Sequence, residues 1–133
     1  MLIDTGFLVA LFDRLDPHHH AASRWMAANR SPLLTVTPVL SEAAFFLPVR
    51  LRVALAGMVA RGLIQVRQPD AGGYARMAHL FEKYADQNPD WAELELVWLA
   101  EATGITRIAT LDVADFSVYR INGRKRFELE LLR

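Results

Sequence analysis

Apolar residues along this chain fall into short continuous runs and into longer stretches where they recur every three or four positions, and the two rhythms alternate. Leu2-Ile3 predicts a first strand ending on Asp4, and Phe7, Leu8, Leu11 and Phe12 follow at helical spacing, with Thr5 placed to cap that helix. After Asp16-Pro17, a second helix carries Ala21, Ala22, Trp25 and Met26 inward. Leu33 to Val36 reads as a strand, and Thr37-Pro38 supplies an N-cap and a first-turn proline for a helix from Val39 to about Leu47, stopped near Pro48. A helix from about Arg50 to Ala60 ends at Gly62, and Leu63 to Val66 gives a third strand. Gly72-Gly73 weakens the next region before a helical pattern resumes over Tyr74 to Tyr84. Pro89-Asp90 opens a helix through Leu94, Val97, Trp98 and Ala100 that closes at Gly104. Ile105 to Ala109 is a buried-type strand delivering Thr110-Leu111-Asp112, and after the Asn122-Gly123 turn, Phe127 to Leu132 alternates as an edge strand. Strands alternating with helices predict an α/β fold with a mainly parallel central sheet covered on both faces, joined by right-handed crossovers.

Composition narrows the class of protein. At 133 residues the chain suits a single domain spanning 1–133, with enough apolar sequence (53%, against 23% charged) to bury a core. No window has the apolar length of a membrane span, and Asp4 stands where a secretory leader would carry a basic residue, so the expected location is cytoplasmic, with no membrane role. Cysteine is absent, which excludes disulfides, thiolate catalysis and cysteine-ligated zinc. The net charge of zero excludes a globally basic nucleic-acid binder. Charge is nevertheless unevenly placed: Arg50, Arg52, Arg61 and Arg67 lie mid-chain, Arg120, Arg124, Lys125 and Arg126 lie late, and an acidic stretch from Glu82 to Glu101 separates them. Such a layout permits a polyanion to lie beside an acidic pocket.

The acids themselves carry the candidate chemistry. Asp4 ends the first strand, Glu42 lies early on the helix after the second, Asp90 and Glu93 share a face at a helix start, and Asp112 follows the fourth strand. In a parallel sheet, strand ends and the starts of the following helices share one rim, so these side chains converge. Two carboxylates about 5 Å apart repel by roughly 3 kcal/mol at an effective dielectric near 20. A cluster of them calls for a hard cation or for bound protons. All-oxygen ligands select Mg²⁺, with Mn²⁺ as the alternative, and such an ion activates water and offsets charge on a phosphoryl oxygen. The chemistry inferred is metal-assisted phosphodiester hydrolysis.

The segments MLIDTGFLVALFDR, TPVLSEAAFFL and DWAELELVWLAEATGITRIATLDVADF, in that order and spacing, resemble the PIN domain, in particular the toxin ribonucleases of VapBC-type toxin–antitoxin pairs. The resemblance runs from Met1 to about Tyr119. It implies a three-layer α/β/α fold, Mg²⁺-dependent cleavage of RNA, a homodimer, and inhibition by a small antitoxin protein. It places Asp4, Glu42 and Asp112 on three of the family's metal-site acids and Asp115 on a further one. The chain departs from the family in one respect: Glu93 stands where an Asp is common, with Asp90 one helical turn earlier as a rival for that role.

Other features have plainer readings. His18-His19-His20 cannot all face one ion on a helix, which leaves a helix start with one partly buried histidine. Trp25, Met26, Phe45 and Phe46 are expected mostly in the core, with some instead forming a groove or dimer face, and a small antitoxin is expected along the helices of Trp25 and Phe45. Thr110 is placed either to hydrogen-bond an acid of the site or to shape a turn. The leading function is a metal-dependent endoribonuclease toxin using Asp4, Glu42, Glu93 and Asp112. The alternative is a PIN-like RNA- or protein-binding module whose turnover the Glu93 departure has weakened or abolished. A phosphoacceptor domain also gathers acids at strand ends, but it wants a lysine beside them, and Lys83 and Lys125 are poorly placed for that.

Overall fold

Residues 1–132 are described by a computed structural model of the chain. Strand β1 (Leu2–Ile3) is followed by α1 (Thr5–Phe12) and α2 (His19–Ala28), β2 (Leu33–Val36) by α3 (Thr37–Phe46) and α4 (Val49–Ala60), and β3 (Ile64–Arg67) by α5 (Ala71–Lys83), a short 3₁₀ turn at Ala85–Gln87 and α6 (Trp91–Thr103). Strand β4 (Arg107–Thr110), α7 (Val113–Val118), a small antiparallel pair of β5 (Arg120–Ile121) and β6 (Lys125–Arg126), and β7 (Glu128–Leu131) complete the chain. The main sheet runs β3-β2-β1-β4-β7, and each neighbouring pair is parallel. Helices flank it to give the three-layer α/β/α arrangement expected from the alternation of elements. No helix among the described residues is long and apolar enough to cross a membrane.

The strand order positions the site. From β1 the chain steps outward to β2 and β3, then returns to lay β4 on the opposite side of β1. The β1–β4 junction is therefore the point where the winding reverses. There the flanking crossovers diverge and leave a crevice outside the carboxyl ends of the strands. Leu2 and Ile3 register with Ile108 and Ala109, so the segments following β1 and β4 emerge side by side into that crevice.

The central strands are buried on both faces, as their continuous apolar runs require: Leu2, Ile3, Leu33, Leu34, Val36, Ile108 and Ala109 are all buried. A second packing centre fixes the region after β4. Phe116 stacks edge-on against Tyr119 and Phe127, with ring centroids 5.8 and 5.4 Å apart, and Tyr119 meets Tyr84 at 5.0 Å.

Several local expectations shift. Asp4, and not Thr5, caps α1, its Oδ1 accepting from the Phe7 N–H at 2.9 Å. At α3 the cap position is Val36, whose side chain makes no capping bond, so Thr37 is already helical and Pro38 occupies the first turn. Strand β3 begins one residue later than the apolar run, leaving Leu63 half exposed. Helix α5 starts at Ala71, ahead of Tyr74, because Asp70 caps it by accepting from the Gly73 N–H at 2.8 Å. Gly73 is also needed sterically, since a Cβ there would sit 2.6 Å from Trp98 Nε1 and 2.8 Å from Pro69 Cβ. The largest correction concerns Phe45 and Phe46, which are 79% and 63% exposed and so are not core residues. The inward stripe of this segment is Val39, Ala43 and Leu47, and the two phenylalanines project off it. Trp25 and Met26 do pack against the core, Trp25 edge-on to Phe7 at 5.2 Å. Of the three histidines, half-buried His19 sits at the start of α2 with Nδ1 2.8 Å from the Ala10 carbonyl.

Candidate metal centre

Four segments bring carboxylates to one cavity of about 400 Å³ at the β1–β4 switch point: Asp4 from the end of β1, Glu42 from α3, Asp90 and Glu93 from the start of α6, and Asp112 from the turn after β4. Asp115, in the first turn of α7, stands close by: single oxygens of Glu93, Asp112 and Asp115 all lie within 4.8 Å of one another.

Each acid is held by its local structure. Asp4 is 7% exposed and receives two bonds, the Phe7 N–H on Oδ1 and the Thr110 hydroxyl on Oδ2. Thr110 in turn accepts from the Asp112 N–H at 2.9 Å, so one hydroxyl ties the ends of β1 and β4 together. Of the two readings of Thr110, the bond to an acid and the shaping of the turn are thus both present. With Asp4 serving as the cap, the Thr5 hydroxyl is free to donate to Glu42 Oε2 at 2.7 Å. Asp112 caps α7 by accepting from the Asp115 N–H at 3.0 Å, which brings Asp115 back toward it. Asp90 caps α6 through the Glu93 N–H at 2.8 Å, and Glu93 reaches across to Tyr119, whose hydroxyl donates to its Oε2.

The electrostatics follow from burial and crowding. Desolvation raises the Asp4 carboxyl from an ordinary 3.8 to about 6, against its hydrogen bonds from Thr110 and Phe7, with the Asp112 charge adding to the rise. Glu93 is pushed to about 8, first by burial and then by Asp90 and Asp115, although the Tyr119 hydroxyl opposes the shift. Asp112 is raised by burial and by Asp115. The Tyr119 phenol is driven well above its usual range by burial and by Glu93. Without a cation the cluster therefore retains protons near neutrality, which is the behaviour expected of carboxylates crowded together.

These residues fit a hard divalent ion. Every donor is an oxygen, the carboxylates are mutually repulsive when bare, and single oxygens of Glu93, Asp112 and Asp115 lie close enough together to share one cation. Of the two rivals at the start of α6, Glu93 belongs to the close trio, whereas Asp90 lines the cavity and spends one oxygen on its cap. Thr5 and Tyr119 escaped the sequence reading. Each meets its carboxylate across the fold, at separations of 37 and 26 residues, and no local spacing signals either pairing.

A parallel α/β domain with an acidic oxygen-donor pocket at its switch point belongs to the class of proteins that can seat a divalent cation beside a phosphoryl group. The sequence matches the PIN domain over residues 1–121. Ribonuclease VapC26 of Mycobacterium tuberculosis (strain ATCC 25618 / H37Rv) is 30% identical over 131 residues, spanning 96% of this chain and 97% of that protein. The crystal structure of Mycobacterium tuberculosis VapC20, described as a sarcin-ricin loop cleaving toxin, superposes with a TM-score of 0.73 at 20% identity, covering 80% of this chain and 85% of that one, a likeness of fold. The chain belongs to the PIN domain family. PIN nucleases use divalent metal ions, and the acidic cluster here suits one.

Proposed function

We propose that this chain is an endoribonuclease of the VapC type, the toxin of a toxin–antitoxin pair, acting in the cytoplasm as a single domain with Mg²⁺ at the acidic pocket. The observation that carries this reading is the convergence of carboxylates from four segments in one cavity, where burial and mutual repulsion disfavour their charged forms. The similarity to Ribonuclease VapC26 along nearly the full length of both chains supports RNA as the substrate.

When bound, the ion lowers the pKa of water and offsets charge on a phosphoryl oxygen. The chain's residues do the rest. Asp4, Glu42, Glu93 and Asp112 supply oxygens, with Asp115 and Asp90 supporting them. Thr110 fixes Asp4 relative to Asp112, Thr5 fixes Glu42, and Tyr119 holds Glu93. In the reaction, water adds to phosphorus, the bond from phosphorus to the leaving oxygen breaks, and that oxygen takes a proton. Protons held by the metal-free cluster leave as the ion enters, so ion affinity rises with pH across the range where Asp4 and Glu93 titrate.

Outside the pocket, Arg124, Lys125 and Arg126 are exposed on the β5–β6 hairpin and are free to contact RNA phosphates, whereas Arg52 donates to the Ala44 and Leu47 carbonyls and Arg120 to the carbonyls closing α7. A mostly apolar groove of about 360 Å³ lined by Leu40, Ala44, Arg52, Leu55 and Val59 suits an amphipathic antitoxin segment laid along α3, the helix of Phe45, and α4, in place of the α2 face expected from Trp25, which packs against the core. Exposed Val49 and Val53 extend this surface and favour a homodimer.

Cleavage of total cellular RNA with Mg²⁺ or with chelator, by wild type and Asp4→Ala, tests the reading. Mg²⁺-dependent cleavage by wild type alone is expected. Equal cleavage by the variant, or cleavage in chelator, would reject it. RNA binding without cleavage by the wild type would favour the non-catalytic module.

A further inference from the structure

A second cavity of about 260 Å³ lies beside the acidic pocket, with Thr37, Ser41, Gln68, Tyr74, Trp91 and Glu95 around it. The two cavities share helices. Val39 and Glu42 of α3 and Ala92, Glu93 and Leu96 of α6 face the acidic pocket. Thr37 and Ser41 of α3 and Trp91 and Glu95 of α6 face the second one. Positions 91 and 95 form the helical stripe next to 92 and 96, and Trp91 directly follows Asp90 of the acidic pocket, so the two cavities open on adjacent faces of α6.

Two features of this cavity lack a structural explanation. Trp91 is 52% exposed and sits beside Tyr74, itself 40% exposed, at a centroid distance of 6.4 Å with the rings tilted by 46°, and beside Phe81 at 5.6 Å. Glu95 is only 2% exposed, yet none of the ion pairs among the described residues involves it. Its one hydrogen bond among the described residues is from Trp91 Nε1 to Oε1, at 2.9 Å. No side-chain oxygen among the described residues is both enclosed and unpartnered, so the second Glu95 oxygen opens on the cavity, where a ligand can supply donors to it.

We propose that this cavity is a nucleobase subsite, which takes an unstacked base next to the scissile phosphate, stacks it on Trp91 with Tyr74 at its edge, and reads its N–H donors with Glu95. The proposal rests on the nuclease reading and specifies how its substrate is held. Single-stranded RNA is recognised by bases splayed onto aromatic rings and hydrogen-bonded along their edges. A carboxylate only accepts, so it selects a base with adjacent donors. Guanine presents two neighbouring N–H donors on its Watson–Crick edge to the Glu95 carboxylate, whose Oε1 also keeps the Trp91 N–H, and Gln68 and Ser41 line the same cavity. Uracil offers a single N–H flanked by carbonyls that the carboxylate repels.

The test is fluorescence anisotropy of the full chain in chelator with labelled uridine octamers carrying a single central G, A, C or U. Wild type is expected to bind the G octamer about tenfold or more tightly than the all-U octamer. Glu95→Gln should bring the G octamer down to the all-U level, and Trp91→Ala should weaken the G octamer by about tenfold or more. Trp91→Phe, which keeps a ring and loses the N–H, should fall between. Thermal melts identify any variant that does not fold, and the wild-type preference decides the matter without them. Equal wild-type affinity for all four octamers, or a preference for G that survives Glu95→Gln in a folded variant, would overturn the subsite. If all four octamers are nevertheless cleaved in Mg²⁺, the nuclease reading stands and only the subsite is lost. No binding and no cleavage of any octamer would remove both.

Discussion

Replacing Asp4 by Asn should make the metal-free protein more stable at neutral pH. The native carboxyl sits near pH 6, against an ordinary 3.8, because burial disfavours its charge. Between these values the native state binds more protons than the unfolded state, so stability falls as pH rises through that window and stays reduced above it. At 1.36 kcal/mol per pH unit the shift amounts to ~3 kcal/mol at pH 7 and above, and to almost nothing near pH 4. Asparagine keeps the oxygen that caps α1 at the Phe7 N–H, but its amide reverses the bond that the Thr110 hydroxyl donates to the carboxylate, so the gain from losing the charge is an upper bound. Urea unfolding in chelator at pH 4, 6 and 8 measures the effect. The variant should gain up to ~3 kcal/mol at pH 8, about 10 °C in melting temperature, and converge with wild type at pH 4. Added Mg²⁺ should raise the melting temperature of wild type and leave that of the variant unchanged. A variant less stable than wild type at pH 8, or a gain that persists undiminished at pH 4, would refute the reasoning.

Three further outcomes are expected. Glu93→Asp should preserve or increase RNA cleavage while Glu93→Gln lowers kcat tenfold or more, about 1.4 kcal/mol; the converse, with Asp90→Asn inactive and Glu93→Gln normal, would transfer the role to Asp90. Tyr119→Phe removes the donor that pulls the Glu93 carboxyl down, so the acid limb of the pH–rate profile should move to higher pH, and an unmoved limb would show that this bond does not act on the site. Gly73→Ala drives a methyl into Trp98 and Pro69 and should cost about 1–3 kcal/mol in denaturant unfolding, which a neutral result would contradict.

How far the sequence predicts this molecule depends on which contacts are local. Asp4, Glu42 and Asp112 were legible because their positions on strand ends and a following helix are set by periodicity, and a parallel sheet then brings such positions to one rim. The rivalry of Asp90 and Glu93 was not resolvable from spacing. Both share a helix face, and only the contacts with Asp112, Asp115 and Tyr119 distinguish them. Thr5 was misread as a cap because Asp4 and Thr5 are both good cap residues, and the choice between them decides which side chain is free to reach Glu42. Phe45 and Phe46 were misassigned for a related reason. Helix α3 is apolar on several faces, so its pattern does not say which face the sheet covers, and exposed aromatics there look like core. Glu95 carried no signal at all, being one acid among several on an acidic helix until folding buries it.

The central claim is that the acidic pocket directs water, aided by a divalent ion, at the phosphodiester bond. Single-turnover cleavage of RNA with Mg²⁺ in ¹⁸O-labelled water tests it most directly. One ¹⁸O atom in the terminal phosphate of the product, together with continued cleavage when the 2′-hydroxyl at the scissile nucleotide is replaced by hydrogen, is the predicted result. A 2′,3′-cyclic phosphate product carrying no label, with cleavage abolished in the 2′-deoxy substrate, would contradict it.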